Sequence, residues 1–223
     1  MDIISIDKLK EYPVIDRNIL SKLFGYTKNY SSLVLQRLEK RKILSKIIKG
    51  KYTLSDDINK LASNLYYPSY ISFLTASMLK GCTEQIINAV QVISTKNKKF
   101  EFKNYNVELI KVKKDYIFGY DNENGTFIAE NEKLLIDMLV YRNYSGNFNE
   151  IIKVVDTLDF DIKKIIAYLK RINSNSLIKR LGYLLEHYKK IDLHDNFKLD
   201  SNYVELDKLS KGKTTNSKWR LKL

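Results

Sequence analysis

The sequence has little of what most catalytic and metal sites require. It contains one cysteine, two histidines and eight glycines in 223 residues. Structural zinc sites draw on several Cys and His ligands, so we expect no metal and no cofactor. The glycines are scattered and form neither a G-x-G-x-x-G motif nor a Walker loop. A paired nucleophile and base is also missing, so we expect that this protein is not an enzyme.

Long hydrophobic runs are missing as well. No apolar run approaches the roughly 20 residues that cross a bilayer, and the opening MDIISIDKLKEY alternates apolar with charged residues instead of resembling a signal peptide. The single thiol, Cys82, cannot form an internal disulfide and is flanked by apolar residues. We therefore expect a cytoplasmic protein without membrane contact, in which this thiol is buried and inert.

Acidic residues are too few to balance the cations, and the formal charge is +13. Residues 1–60 carry +6, residues 61–150 are neutral, and residues 151–223 carry +7. Such an excess is typical of a lysine-rich, soluble surface or of a protein with a polyanionic partner, of which nucleic acid is the commonest.

The first part of the chain predicts three helices followed by a β-hairpin. We expect helices over Ser5–Glu11, after the N-cap Asp16, and over Thr27–Lys42. The segment SKIIKGKYTLS that follows has two β-prone runs around Gly50, which suits a tight hairpin with flanking lysines. This order indicates a winged helix-turn-helix domain over residues 1–65.

The third predicted helix has two different faces when it is wound at 100° per residue. Val34, Leu35 and Leu38 fall on the inward face, and Leu33 lies with polar and basic residues on the opposite face. A polar face alone is typical of any solvated helix, but its combination with a basic hairpin favours contact with the major groove and the phosphates. The predicted DNA-binding residues are Lys28, Asn29, Ser32, Gln36, Arg37, Lys40, Lys49 and Lys51.

Residues 66–223 predict a larger α+β domain in which a small antiparallel sheet is packed by helices. Buried helices are expected at 69–80 and 83–89. Alternating and β-prone runs then predict strands at 90–94, 99–102, 106–112 and 115–121. Helices dominate the rest of the chain, so the whole protein is expected to be α+β and mostly helical.

The later helices carry an exposed basic set that we predict to be a partner or nucleic-acid surface. Its members are Lys163, Lys164, Lys170, Arg171, Lys179, Arg180, Lys189 and Lys190. Such a surface suits an acidic protein, RNA or flanking DNA, and the sequence does not choose between them. Three nearby carboxylates, Asp156, Asp159 and Asp161, do not indicate a metal site, because Asp161 is better explained as a helix N-cap and the other two as a turn cluster.

Several degenerate motifs in this chain order resemble the AbiEi family over nearly the whole sequence. They are YYPSYISFLTASMLKG, ENEKLLIDML, NSLIKRLGYLLE and GKTTNSKWRLKL. Most of the resemblance is carried by Ser72, Ala76, Ser77, Lys133, Leu134, Leu135, Asp137 and the run Arg180–Leu184. The hairpin sequence Lys49–Tyr52 is similar to the R-x-G-x-Y of the family's wing, with the glycine and tyrosine in place.

The resemblance implies an antitoxin and transcriptional autorepressor of a type IV toxin-antitoxin pair. Its N-terminal domain would bind double-stranded DNA at inverted repeats in its own promoter, with two copies meeting as a possible homodimer on the DNA. Its C-terminal domain would counter a nucleotidyltransferase toxin without a stable complex. Two alternatives stay open: a protein-interaction module, or a solo nucleic-acid-binding regulator without a cognate toxin.

Overall fold

The computed structural model describes residues 6–85, 87 and 89–223 and shows an α+β protein. The chain begins with helices and a hairpin at the predicted places. Their bounds are α1 (Ile6–Lys10), α2 (Arg17–Phe24), α3 (Lys28–Lys40), β1 (Ser45–Ile48), β2 (Lys51–Thr53) and α4 (Ile58–Asn64). The first predicted residue of α1, Ser5, lies outside the described residues.

Side-chain capping and a glycine turn define α2 and α3. One carboxylate oxygen of Asp16 accepts hydrogen bonds from the backbone amides of Asn18 and Ile19, at 2.9 and 3.1 Å. These amides belong to the first turn of α2 and have no partner inside the helix. Gly25, with φ of +69°, ends α2 in the left-handed conformation. Thr27 then caps α3 through the amide of Tyr30.

The first helices and the hairpin enclose a small apolar core. Its buried members are Leu9, Ile15, Leu20, Val34, Leu35, Leu38, Leu44 and Tyr52. Val14 and Ile47 belong instead to a second, much larger core, together with Leu61 and Leu65 of the α4 segment. The predicted domain boundary at residue 65 stays a prediction, and the hairpin contributes buried side chains to both cores, Tyr52 to the small one and Ile47 to the larger one.

Within the described ranges, six strands form one mixed sheet around which the larger core is built. Their bounds are β3 (Ser69–Ile71), β4 (Ala89–Ser94), β5 (Lys98–Phe102), β6 (Tyr105–Lys111), β7 (Tyr120–Glu123) and β8 (Thr126–Ala129). Their order is β5-β6-β4-β3-β8-β7. Pairing is antiparallel in β5–β6, β3–β4 and β7–β8 and parallel in β4–β6 and β3–β8. Between strands that the sequence predicted, β5–β6 is antiparallel as expected, whereas β4–β6 is parallel. The first parallel pair arises because β5 lies outside β6, which brings β6 back beside β4 in the same direction.

Three predicted elements differ from the structure. The helix at 69–80 is strand β3 followed by α5 (Phe73–Leu79), because β3 pairs with both β4 and β8 and this pairing overrides helical periodicity. The helix at 83–89 is not formed at residues 83–85, and Ile86 and Asn88 lie outside the described residues. The strand at 115–121 begins only at residue 120, after a short 3-10 turn at Lys114–Tyr116.

Helices cover the rest of the larger core, and the chain ends in short strands. The helices are α6 (Asn131–Val140), α7 (Phe148–Thr157), α8 (Ile162–Ile172) and α9 (Asn175–Leu184), with 3-10 turns at Arg142–Tyr144 and His194–Asn196 and a π-helical turn at Leu185–Lys189. The strands are β9 (Val204–Glu205), β10 (Thr215–Asn216) and β11 (Leu221–Lys222). In the part of the chain that the structure describes, no helix is both long enough and apolar enough to cross a membrane.

Candidate nucleic-acid interface

An open groove of about 830 Å³ lies between α3, the β1–β2 hairpin and the start of α2. Its lining consists mainly of polar and charged side chains. The lining residues are Asp16, Arg17, Asn18, Ser32, Leu35, Gln36, Glu39, Lys40, Lys46, Lys49, Gly50, Lys51 and Tyr52. Five of the eight predicted DNA-binding residues, Ser32, Gln36, Lys40, Lys49 and Lys51, are therefore brought to one concave surface.

A backbone bridge places the start of α2 beside the hairpin. Ile15 and Tyr52 exchange two hydrogen bonds, with N···O distances of 2.7 and 2.9 Å. Ile15 comes directly before the cap Asp16, so this bridge holds the start of α2 beside strand β2. As a result, Arg17 and Asn18 line the groove opposite α3.

One stripe of α3 forms the opposite wall. Ser32, Gln36 and Lys40 follow one another at intervals of four residues, and such residues lie along one side of a helix. The Ser32 hydroxyl donates to the carbonyl oxygen of Lys28 at 3.0 Å and keeps its lone pairs for a further donor. The wall therefore presents a hydroxyl, an amide and an ammonium group in sequence.

Cations outnumber carboxylates among the described residues of the lining. The cations are Arg17, Lys40, Lys46, Lys49 and Lys51, and the carboxylates are Asp16 and Glu39. Both carboxylates already have partners: Asp16 caps α2 and lies 3.9 Å from the Lys51 ammonium, and Glu39 lies 4.0 Å from that of Lys46. The groove thus carries a net positive charge, which suits a polyanion.

The remaining predicted residues of α3 are exposed but do not line the groove. Lys28 and Asn29 lie at the start of the helix. Arg37 follows Gln36 and is therefore turned roughly 100° away from it around the helix axis. Sequence reasoning missed Arg17, Asn18 and Lys46, because their place in the groove depends on the bridge between Ile15 and Tyr52 and on the fold of the hairpin.

The predicted basic surface of the later helices is smaller than expected. Lys179 and Arg180 were predicted to be exposed, and this is wrong: Lys179 is 0% exposed and Arg180 6%. The Lys179 ammonium lies 2.6 Å from the Asp200 carboxylate, and the Arg180 guanidinium donates to the carbonyl oxygen of Glu205 at 2.8 Å. Both side chains are buried because they bind residues 200–205, a later segment of the chain that lies against α9.

Most of the exposed remainder of that surface lies on α8, where Lys163, Lys164, Lys170 and Arg171 are exposed. Lys190 is exposed at the end of the π-helical turn, and Lys189 is half-buried there. Lys164 pairs with Glu130 at 3.0 Å, and the Arg171 guanidinium lies 3.9 Å from the centre of the Phe118 ring. Part of this basic set therefore also serves contacts within the protein.

A buried polar cluster joins two of the motifs that resemble AbiEi. Asp137 on α6 accepts hydrogen bonds from the hydroxyls of Tyr70 and Ser72, at 3.0 and 2.9 Å, and forms an ion pair with Lys133. Both charged side chains are almost completely buried, at 0% and 1% exposure. Burial raises the pKa of Asp137 and lowers that of Lys133, while their mutual attraction opposes both shifts. The motif residues here hold α6 to the sheet.

The other two motifs meet at the C-terminal end. Trp219 is 0% exposed and packs against Gly182, where an added Cβ would overlap the indole ring. The indole N–H donates to the Glu186 carboxylate. The glycine of the R-L-G-Y-L run is therefore required by close packing with the tail, which sequence reasoning could not assign.

Two further sequence expectations concern reactive and metal-binding groups. Asp161 caps α8 as predicted, because its carboxylate accepts from the amides of Lys163 and Lys164 at 2.9 and 3.3 Å. Cys82 is buried, and this burial raises the pKa of its thiol. Over residues 6–85, 87 and 89–223, no group of three or more His, Cys, Asp or Glu side chains is arranged to hold a metal ion.

Comparison with known proteins gives a likeness of fold. No family model matches this chain, and no curated protein matches it significantly. Among solved structures, the crystal structure of the RV2827C protein from Mycobacterium tuberculosis is similar, with a TM-score of 0.62. The match covers 97% of this chain and 88% of that one, at 12% sequence identity. At this identity the likeness shows that the two chains share a fold, and it shows no more than that.

Proposed function

We propose that residues 6–53 act as a winged helix-turn-helix that binds double-stranded DNA. In this arrangement α3 enters the major groove and the β1–β2 hairpin is the wing on the neighbouring phosphates. One observation carries the proposal: the cationic groove places the polar stripe of α3, the hairpin tip and the start of α2 around a single concave surface. The protein is proposed as a binding protein and not as an enzyme.

The side chains divide into two roles by their chemistry. Arg17, Lys40, Lys49 and Lys51 bear the charges that bind phosphates and set the position of the duplex. The groups suited to base edges lie on α3, where Ser32 and Gln36 face the groove and Asn29 lies beside them on the exposed surface. Inverted repeats would be bound by two copies of the chain.

The resemblance to AbiEi supports the regulatory part of the proposal. On this basis the protein is an autorepressor and the antitoxin of a type IV pair that counters a nucleotidyltransferase toxin. The motif residues Ser72, Lys133, Asp137 and Gly182 are buried, so their role is to maintain the second domain. Its exposed surfaces, including the cations of α8, are left to act on the toxin or its target.

Removing three groove cations is expected to weaken DNA binding by about 10²-fold near physiological salt. The variant is Arg17→Ala/Lys40→Ala/Lys49→Ala, in which all three side chains are exposed. Each lost phosphate contact lowers the slope of log affinity against log salt by about 0.9, so the slope falls by about 2.7. The measurement is fluorescence anisotropy over a salt series with a duplex from upstream of the protein's own gene.

A matched variant separates this site from the general charge of the protein. Lys163→Ala/Lys170→Ala/Lys198→Ala also removes three exposed cations, all from the second domain. It is expected to keep the wild-type slope and affinity to within a few-fold. If this control lost binding while the groove variant kept it, the DNA site would lie on the second domain and the winged-helix assignment would be wrong.

Co-expression tests the antitoxin part separately. If the neighbouring gene encodes a nucleotidyltransferase that stops growth, this chain is expected to restore growth, and the groove triple variant is expected to restore it equally. The second result follows because the toxin is countered by the second domain and not by DNA binding. Failure to rescue, or a stable toxin complex in gel filtration, would contradict a type IV antitoxin while leaving the DNA-binding proposal intact.

A further inference from the structure

Leu33 lies on the face of α3 that does not contribute to the small core. Its side chain is 42% exposed, whereas Val34, Leu35 and Leu38 of the same helix are buried. At 100° per residue, Leu33 is turned roughly 160° from the buried Ser31, so it points away from the core. An exposed leucine is ordinary on a protein surface, and only the position of this one makes it informative.

The surface neighbours of Leu33 include groups suited to DNA base edges. Residues three and four positions apart are adjacent on a helix, which places Asn29, Tyr30, Gln36 and Arg37 around Leu33. All four are exposed. Leu33 therefore lies between two amides, Asn29 and Gln36, with Tyr30 on the N-terminal side and Arg37 on the C-terminal side.

We infer that this protein recognises an A·T pair at the centre of each half-site, with Leu33 packed against the thymine 5-methyl group. The inference rests on the proposed insertion of α3 into the major groove. There the methyl group is the apolar feature that distinguishes thymine, and adenine offers the N6/N7 pair that an amide such as Gln36 matches. Leu33 is then a specificity-determining residue, whereas the groove cations act on every sequence alike.

Replacing thymine by deoxyuridine tests this directly, because it removes the methyl group and leaves the other groups of the base unchanged. The probe is a duplex selected by the wild-type protein from a random-sequence library. We expect substitution at one thymine per half-site to weaken wild-type binding by about fourfold per half-site, the value of one buried methylene-sized group. The Leu33→Ala variant is expected to bind the two duplexes equally.

The other outcomes separate the inference from the proposed function. Arg17→Ala serves as the control, since it should weaken binding to both duplexes by the same factor. Wild-type binding that tolerates deoxyuridine at every thymine would overturn the inference and leave DNA binding in place. So would a Leu33→Ala variant as sensitive to deoxyuridine as the wild type. If the library yielded no bound duplex at all, the winged-helix proposal itself would fall, and this inference with it.

Discussion

Replacing Trp219 with alanine is expected to lower the free energy of unfolding by about 3–5 kcal/mol, the usual cost of truncating a buried large aromatic side chain. The indole is completely buried between the tail and α9, and its N–H is bound to Glu186. Alanine would leave a cavity and remove the donor from this carboxylate. Urea unfolding followed by circular dichroism measures the loss.

The contact with Gly182 provides a second variant for the same site. Gly182→Ala places a methyl group inside the volume of the indole, so it should also be strongly destabilising. Combining Gly182→Ala with Trp219→Leu removes the overlap, and the double variant should be more stable than the sum of the two single losses predicts. Additive losses would show that the two side chains do not share one packed site.

Breaking the buried ion pair of Lys133 and Asp137 is expected to cost about 3–5 kcal/mol for either single substitution. Asp137→Asn leaves the Lys133 ammonium without a counter-charge inside the protein, and Lys133→Met does the same to the carboxylate. In the double variant both charges are gone, and the asparagine oxygen can still accept from Tyr70 and Ser72. The double variant should therefore lose much less stability than the two single variants together.

The Lys133→Met variant also predicts a pH dependence. Burial raises the pKa of Asp137, and this variant lacks the ammonium that lowers it. Its folded state should therefore bind a proton at a higher pH than the unfolded chain, whose ordinary value is 3.8. The contribution of Asp137 to stability is then greatest below that value and is lost as the pH rises through the folded-state pKa. If the Lys133→Met variant lost as much unfolding free energy relative to the wild type in acid as at neutral pH, Asp137 would not be a buried, unpaired carboxylate.

Unfolding of the Lys133 and Asp137 variants can be followed by the fluorescence of Trp219, which is the single tryptophan of the chain.

Much of the N-terminal unit followed from local signals. Asp16, Gly25 and Thr27 mark the ends of α2 and α3, and the periodicity of Val34, Leu35 and Leu38 identified the inward face of α3. These signals depend on residues a few positions apart, so the ends and the buried face of a helix can be recognised from the sequence alone. Ser32, Gln36 and Lys40 lie along one side of α3 for the same reason.

Residues 66–223 were predicted less well, because their decisive contacts join distant residues. Strand β3 resembled the start of a helix, and only its pairing with β4 and β8 made Ser69–Ile71 extended. Lys179 and Arg180 were predicted to be surface cations, because their partners Asp200 and Glu205 lie more than 20 residues further along the chain. Lysine and arginine are so seldom fully buried that sequence reasoning places them outside by default.

The amino-acid sequence by itself determined the basic charge, the capped helices and hairpin of residues 6–53, and the polar character of one face of α3. These properties depend on composition and on interactions within a few residues. The tertiary structure alone decided that Arg17 joins Lys40 and Lys49 in one groove, and that Gly182 receives Trp219. Each of these depends on the relative placement of separate elements, which is set when apolar faces far apart in the chain are buried together.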